Sequence, residues 1–347
     1  MIIFPMNPAL QYSGRIDFED PLAPVFVYAG SYIRLIFDGD ALDVFLINHR
    51  SYFTNYVGYF LDGKQGKFAL MNDEREHVYQ IARGLRPGKH ELLLFKRQDS
   101  CHSFTFTGFL TEEDSKVYPC EPLPSRKIEF YGDSVTCGEV SEAISCVGKP
   151  DPENHDGLYS NSYYSYSWMT ARKLNAEAHI IGQGGAALLD KIGWFHYPDF
   201  IGMESIYDKI QYNPELGETK QWDFKQWIPH VVVIAIGQND ANPVNFMAED
   251  YDGPAAATWK RRYADFLRKL MSLYPSAHIV CTTTILNHSV EWDHAIDEVC
   301  QSMASKKVHH FLYSNNGCGT PGHIRIPEAD KMAEELSAFI NTLGVEW

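Results

Sequence analysis

Four short stretches of the chain carry residue types that could perform acyl transfer, and each lies at a junction between predicted elements. Ser134 ends a Gly-Asp-Ser tripeptide that follows the apolar run "KIEFY", and Gly182 follows "AHII". Asn239 lies in "GQNDAN" after "PHVVVIAI", and His323 immediately precedes the last helical pattern. A serine hydroxyl is a weak nucleophile near neutral pH and needs a base within hydrogen-bond reach, for which His323 is the candidate. The backbone N–H groups of Ser134 and Gly182 and the side-chain amide of Asn239 are candidate donors to an oxyanion.

Each stretch also has an ordinary structural explanation. Asn239, Asp240 and Pro243 could form a turn that caps a helix, and the glycine run after Gly182 could be a tight turn between strand and helix. A histidine at the start of a helix is more often a surface or capping residue than a catalyst. If the glycine loop is displaced by two residues, Gly184 replaces Gly182 as the oxyanion donor. The chemistry is therefore predicted from the four stretches together.

The elements around these stretches predict an α/β domain over residues 121–347. Buried apolar strands such as "KIEFYG", "PHVVVIAIG" and "AHIVCTTTI" alternate with helical patterns such as "ATWKRRYADFLRKLMSL" and "IPEADKMAEELSAFINTL". This alternation indicates a doubly wound, flavodoxin-like parallel sheet, in which active sites form at the carboxyl ends of the strands. The irregular, aromatic segment 186–227 is interpreted as an insertion near that edge.

Residues 1–120 predict a separate, all-β domain. Short runs rich in β-branched and aromatic residues, among them "SYIRLIF", "LDVFLIN" and "HELLLFK", are separated by turn signals at "DGD", "LDGKQGK" and "LRPGKH". Strands at this spacing without a helical period favour an antiparallel sandwich of the jelly-roll type. The proline-rich stretch "PCEPLPSR", residues 119–126, is the expected linker.

Composition limits the classes of partner. A net charge of −15 argues against nucleic acid and anionic membranes, because both are bound by clustered Lys and Arg. No stretch approaches 18 uninterrupted apolar residues, so no transmembrane helix is expected. Seven cysteines without a C-x-x-C pair suit free thiols, and the first residues lack the features of a signal peptide. A cytoplasmic protein is therefore expected, unless a leader has been removed.

In this order and on these elements, Ser134, Gly182, Asn239 and His323 resemble the four blocks of the SGNH hydrolases, also called GDSL esterases. The preceding jelly roll, the linker that runs into "RKIEFYGDS", and the stretches "LRPGKHELLLFKR" and "SNSYYSYSWMTARKLNAEAHII" are similar to carbohydrate esterase family two. The resemblance implies a cofactor-free serine esterase that removes acetyl groups from plant polysaccharides or their oligosaccharides, such as acetylated xylan or mannan. The sequence leaves open the sugar, the position of the acetyl group, the role of the β domain and a possible homo-oligomer.

The chain departs from the family pattern at the acid that orients the histidine. SGNH enzymes place an Asp three, and some carbohydrate esterases two, residues before the histidine, but those positions hold Thr320 and Pro321. We therefore expect a Ser134–His323 dyad, in which a main-chain carbonyl from residues 317–321 accepts the proton on Nδ1. The remote acids that could defeat this expectation are Asp156, Asp240 and Glu328.

Three other functions remain as alternatives. A metal-dependent deacetylase would need ligands from His309 and His310 or from His288 and His294, but neither pair has a recognised metal-ligand spacing, and no metal is expected. A carbohydrate-binding protein with an inactive esterase domain would fit the jelly roll, although all four SGNH residues are retained. A GDSL lipase would need a long apolar groove.

Overall fold

The computed structural model describes all 347 residues and divides them into two compact units. The first unit contains residues 1–123 together with the short segments 156–158 and 210–221. The second unit contains residues 124–155, 159–209 and 222–347. Two segments that come later in the sequence than residue 123 thus also belong to the first unit.

The first unit is built from two antiparallel sheets. One sheet has the order β3-β4-β11-β6-β9, with β1 beside β11, and the other has the order β12-β5-β10-β7-β8, with β2 beside β5. The strands are β1 (Ile2–Ile3), β2 (Gln11–Ser13), β3 (Ile16–Asp17), β4 (Val25–Phe26), β5 (Tyr32–Asp38), β6 (Leu42–Arg50), β7 (Tyr56–Leu61), β8 (Lys64–Ala69), β9 (Glu76–Ala82), β10 (Lys89–Lys96), β11 (His102–Leu110) and β12 (Val117–Tyr118).

Alternating side chains of both sheets form one apolar core, which contains Leu35 of β5, Leu46 of β6 and Phe104 of β11. This confirms the predicted β-sandwich. The segment "LDGKQGK", interpreted as a turn, was assigned too broadly. Only Asp62 and Gly63 make the turn, both at positive φ, and the following residues pair with β7 as β8. The Gly and Lys residues in this edge strand concealed its period.

The second unit is an α/β domain around a five-stranded parallel sheet with the order β14-β13-β17-β18-β19. Its strands are β13 (Arg126–Gly132), β14 (Ala176–Gly182), β17 (Val231–Ala235), β18 (His278–Thr282) and β19 (Val308–His310). β15 (Lys209–Gln211) and β16 (Lys220–Gln221) form a separate pair, which apart from Lys209 belongs to the first unit. The helices are α1 (Ser134–Cys137), α2 (Tyr166–Lys173), α3 (Met203–Ile206), α4 (Phe246–Glu249), α5 (Pro254–Leu273), α6 (Val290–Ser302) and α7 (Ile326–Thr342).

The apolar runs of the second half explain this sheet. Every residue of β14 and of β17 is buried, because helices cover both faces of a parallel sheet. α5, α6 and α7 each bury one apolar face, as their helical patterns predicted. The predicted doubly wound domain is therefore confirmed. None of the helices combines the length and the apolar character that a membrane crossing requires.

Candidate active site

The register of the parallel sheet brings three of the four predicted stretches to one edge. Gly132 at the end of β13 pairs with Gly182 of β14 on one side and with Ala235 of β17 on the other. The residues that follow these three positions therefore leave the sheet side by side at its carboxyl edge. Ser134 comes two residues after Gly132, and Asn239 comes four residues after Ala235.

Ser134 is the first residue of the short helix α1, and its neighbours fix its position. The side chain of Asp133 caps the helix by accepting a hydrogen bond of 3.0 Å from the N–H of Val135. A Cβ added at Gly132 would lie 2.0 Å from Oγ1 of Thr136, so the turn into the helix has room only for glycine. The serine is buried, with 5% of its surface exposed.

His323 meets Ser134 at hydrogen-bond distance. Nε2 of the ring lies 2.8 Å from Oγ of Ser134, although 189 residues separate the two along the chain. The histidine lies just before α7, as its sequence pattern predicted, and its side chain keeps 23% exposure. When Nδ1 carries the proton of the neutral ring, Nε2 can accept the hydroxyl proton of Ser134.

The expected dyad is wrong, because Asp151 completes a triad. Oδ2 of Asp151 lies 2.6 Å from Nδ1 of His323, and Oδ1 accepts a hydrogen bond of 2.9 Å from the backbone N–H of the same histidine. A carboxylate, and not a main-chain carbonyl of residues 317–321, therefore orients the ring. The acid comes from the segment that follows Ser134, 172 residues before the histidine.

The fully buried side chain of Arg325 holds this acid in place. Its guanidinium donates to Oδ1 of Asp151 at 2.8 Å, to the carbonyl of Ala143 at 3.2 Å and to the carbonyl of His323. With the two bonds from His323, the carboxylate of Asp151 accepts three hydrogen bonds from fixed donors. Its orientation is thus determined on both oxygens.

The charges around the triad shift the pKa values of its members. Although partial burial opposes ionisation of Asp151, the bonds and charges of His323 and Arg325 hold the pKa of this carboxyl well below its usual range. Burial opposes protonation of His323, but the carboxylates of Glu139, Asp151 and Asp133 outweigh it and raise the pKa of the ring to about 9. The site therefore favours the imidazolium form of His323.

The structure places Gly182 and Asn239 close to α1, the helix that begins at Ser134. A Cβ added at Gly182 would lie 2.5 Å from Sγ of Cys137 in α1, so strand and helix pack without an intervening side chain. The amide nitrogen of Asn239 donates to Oδ2 of Asp133 at 2.9 Å and to the carbonyl of Ala186 at 3.2 Å. An oxyanion would have to take over one of these two bonds, and the longer one, to Ala186, is the weaker.

Asp133 also accepts a hydrogen bond of 2.6 Å from Nε2 of Gln238, and burial raises the pKa of this carboxyl to about 6. The carboxyl thus connects α1 to the loop after β17. Both α1, which begins at Ser134, and Asn239 are therefore hydrogen-bonded to the carboxyl group of Asp133.

The three remote acids named from the sequence have other partners. Asp240 is fully buried and accepts from Nε1 of Trp259 at 2.6 Å and from the N–H of Leu188 at 2.9 Å. Oδ2 of Asp156 accepts from Oγ1 of Thr54, and Glu328 accepts from the N–H of Arg325 at 2.8 Å.

The histidines of the metal alternative do not converge. His309 lies 3.0 Å from His278, His310 contacts Asp297, and His288 contacts Asp293. No three side chains of the His, Cys, Asp and Glu types come together as ligands of one ion.

Comparison with known proteins shows what this chain is similar to. Residues 12–120 match the family model described as "Carbohydrate esterase 2 N-terminal". The structure of a family two carbohydrate esterase from Clostridium thermocellum, in complex with cellohexaose, superposes with a TM-score of 0.79 at 28% identity, over 96% of this chain and 99% of that one. The chain is therefore similar to family two carbohydrate esterases over nearly its whole length.

Two curated relatives extend the comparison. The cellulase/esterase CelE of Acetivibrio thermocellus is 31% identical over 97% of this chain, which spans 40% of the length of CelE. An acetylxylan esterase/glucomannan deacetylase of Cellvibrio japonicus is 25% identical over 98% of this chain and 90% of its own length.

Sequence reasoning missed Asp151, Arg325 and Glu139 of this site. The acid was sought beside His323, where Thr320 is instead buried in a bridge to Leu286. Asp151 lies in the irregular segment "GKPDPENHD", whose composition indicates only a loop. The one available signal is the presence of acids in the loop that follows the serine block.

Proposed function

We propose that this protein is a serine esterase that removes O-acetyl groups from sugars derived from plant polysaccharides, such as acetylated xylan, mannan or their oligosaccharides. The observation that carries the proposal is the unbroken hydrogen-bond chain from Oγ of Ser134 through both nitrogens of His323 to Oδ2 of Asp151. The acetylxylan esterase/glucomannan deacetylase activity named for the Cellvibrio japonicus relative supports the choice of acyl group and substrate.

The first half-reaction follows from this chain. Nε2 of His323 accepts the proton of Ser134 while Oγ bonds to the acetyl carbonyl carbon, and the carbonyl oxygen becomes an oxyanion. The backbone N–H groups of Ser134 and Gly182 and the amide of Asn239 are the proposed donors to this oxyanion. When the tetrahedral intermediate collapses, Nε2–H donates its proton to the departing sugar oxygen, and the acetyl group remains on Ser134.

The second half-reaction repeats these roles with water. His323 accepts a proton from water as the water oxygen attacks the acetyl-enzyme, and it then returns the proton to Oγ of Ser134 as acetate leaves. Throughout, the negative carboxylate of Asp151 keeps Nδ1 protonated and stabilises the imidazolium. Since each step only transfers protons and the acyl group, the residues described suffice for the cycle without a cofactor.

Acetate release from acetylated xylan and from acetylated glucomannan tests the proposal. We expect the parent protein to release acetate from at least one of them, and the Ser134→Ala variant to release it several orders of magnitude more slowly with its fold intact. A parent protein inactive on both polysaccharides and on small acetyl esters would refute the esterase proposal. A serine variant with near-normal activity would refute the assigned nucleophile.

The substrate class, the cellular location and the biological role are proposed separately from the chemistry. The acidic composition suits a neutral sugar substrate better than a phospholipid. A cytoplasmic location and a role in xylan degradation are parts of the proposal that rest on the sequence alone. Fractionation of cells that express the full-length protein would test the location.

A further inference from the structure

A second carboxylate, that of Glu139, lies near Nε2 of His323, whereas Asp151 contacts Nδ1. Oε2 of Glu139 is 3.8 Å from Nε2 of His323, the same nitrogen that lies 2.8 Å from Oγ of Ser134. The side chain is four-fifths buried, with 20% exposure. A negative charge therefore lies next to the nitrogen that gains and loses a proton in each half-reaction.

The backbone fixes where this carboxylate lies. Gly138 ends α1 in the left-handed region, with φ of 75°, and a Cβ added there would lie 2.6 Å from the carbonyl of Asn161. The N–H of Glu139 donates to the carbonyl of Ser134 at 3.0 Å, and the N–H of Val140 donates to Oγ of Ser160 at 3.2 Å. Glu139 is thus held to the nucleophile's own turn.

We propose that Glu139 is a positioning residue that stabilises the imidazolium form of His323 from the side of the nucleophile and thereby moves the enzyme's working range to higher pH. The inference rests on the proposed esterase function for its kinetic consequence. At 3.8 Å the carboxylate is beyond hydrogen-bond distance from Nε2, so it acts through its charge and takes no proton from the ring.

The other charged groups around the ring do not replace this effect. Asp151 contacts Nδ1, and the buried Asp133 contributes a further negative charge. Arg325 contributes the opposing positive charge, but its guanidinium binds Asp151 and backbone carbonyls, away from Nε2. The charge of Glu139 raises the pKa of His323 more than the charge of Asp151 or of Asp133 does, while Asp151 also acts through its hydrogen bond. Two consequences follow: the neutral base is stronger, and it is available only at higher pH.

The test compares Glu139→Gln with Glu142→Gln. Both variants remove one negative charge from the same segment, but Glu142 contacts Nδ2 of Asn161 at 2.7 Å, a bond that glutamine can keep. For the Glu139 variant we expect the acid limb of the pH profile of kcat/KM, measured with 4-nitrophenyl acetate, to move to lower pH by about one unit. The reason is that an opposite charge at this distance shifts a pKa by roughly 1–3 units. The Glu142 variant should keep the parent's limb.

A direct titration separates this inference from the proposed function. The pKa of the His323 ring, followed by NMR with His323→Gln as the assignment control, should fall in the Glu139 variant whether or not the protein hydrolyses any ester. An unchanged ring pKa and an unchanged limb would overturn the role of Glu139. A raised KM for acetylated oligosaccharides with an unmoved limb would also overturn it, since Glu139 would then bind sugar directly. A parent protein without esterase activity would refute the function but leave the titration to decide on Glu139.

Discussion

Replacing Asp151 by Asn tests the triad most sharply, because the structure determines which way the new amide must turn. Oδ1 accepts from two obligatory donors, the backbone N–H of His323 at 2.9 Å and the guanidinium of Arg325 at 2.8 Å. The amide oxygen must occupy that position, since an NH₂ group there would face both donors. The NH₂ group then points at Nδ1 of His323, 2.6 Å from the replaced oxygen.

An NH₂ group at that position can only donate, so Nδ1 must become the acceptor and the ring proton moves to Nε2. The ring then cannot accept the proton of Ser134. We expect kcat to fall by about 10⁴-fold, as this replacement does in a serine triad, which corresponds to about 5.4 kcal/mol. Initial rates on 4-nitrophenyl acetate measure the loss, and Asp156→Asn is the matched control, expected to keep most of the turnover. A loss of less than tenfold in the Asp151 variant would refute the triad.

The remaining predictions concern the other members of the site. His323→Ala should abolish turnover while its circular dichroism and melting temperature stay near the parent's; substantial residual turnover would assign the base elsewhere. Asn239→Ala should lower kcat by about 10²–10³-fold with a small effect on KM, whereas a change in KM alone would make it a binding residue and a large drop in melting temperature a structural one. The kcat/KM of the parent should rise with pH and be half-maximal near pH 9, because only neutral His323 can act as the base and its pKa is raised to about 9; a limb near pH 6.5 would contradict this. Acetyl esters should be cleaved far faster than long-chain esters, and a preference for eight or more carbons would indicate a lipase.

Those parts of the molecule that depend on local sequence could be predicted. Ser134 and Asn239 follow buried strands, and His323 precedes an amphipathic helix, so periodicity and turn residues located all three. The helix predicted from residue 326 begins there in the structure. β8 escaped prediction because its glycine and lysines are typical of turns.

The parts that depend on long-range contacts could not be predicted. Asp151 reaches His323 across 172 residues, from a loop with no periodic pattern. The engagement of the Asn239 amide by Asp133 depends on the packing of two loops against each other, over 106 residues. One sequence contains no signal for such pairs, because each partner alone looks like an ordinary loop residue.

The buried guanidinium of Arg325 also bears on how the site forms during folding. Its partners Ala143 and Asp151 are 182 and 174 residues away in sequence, so each contact closes a very long loop. Because the two loops nearly coincide, the entropic cost of closing one of them is also most of the cost of closing the other. A guanidinium taken out of water with only part of its partners in place would be strongly unfavourable. Asp151, His323 and the segment between residues 143 and 151 must therefore assemble together. A partly folded chain consequently contains no partly formed triad.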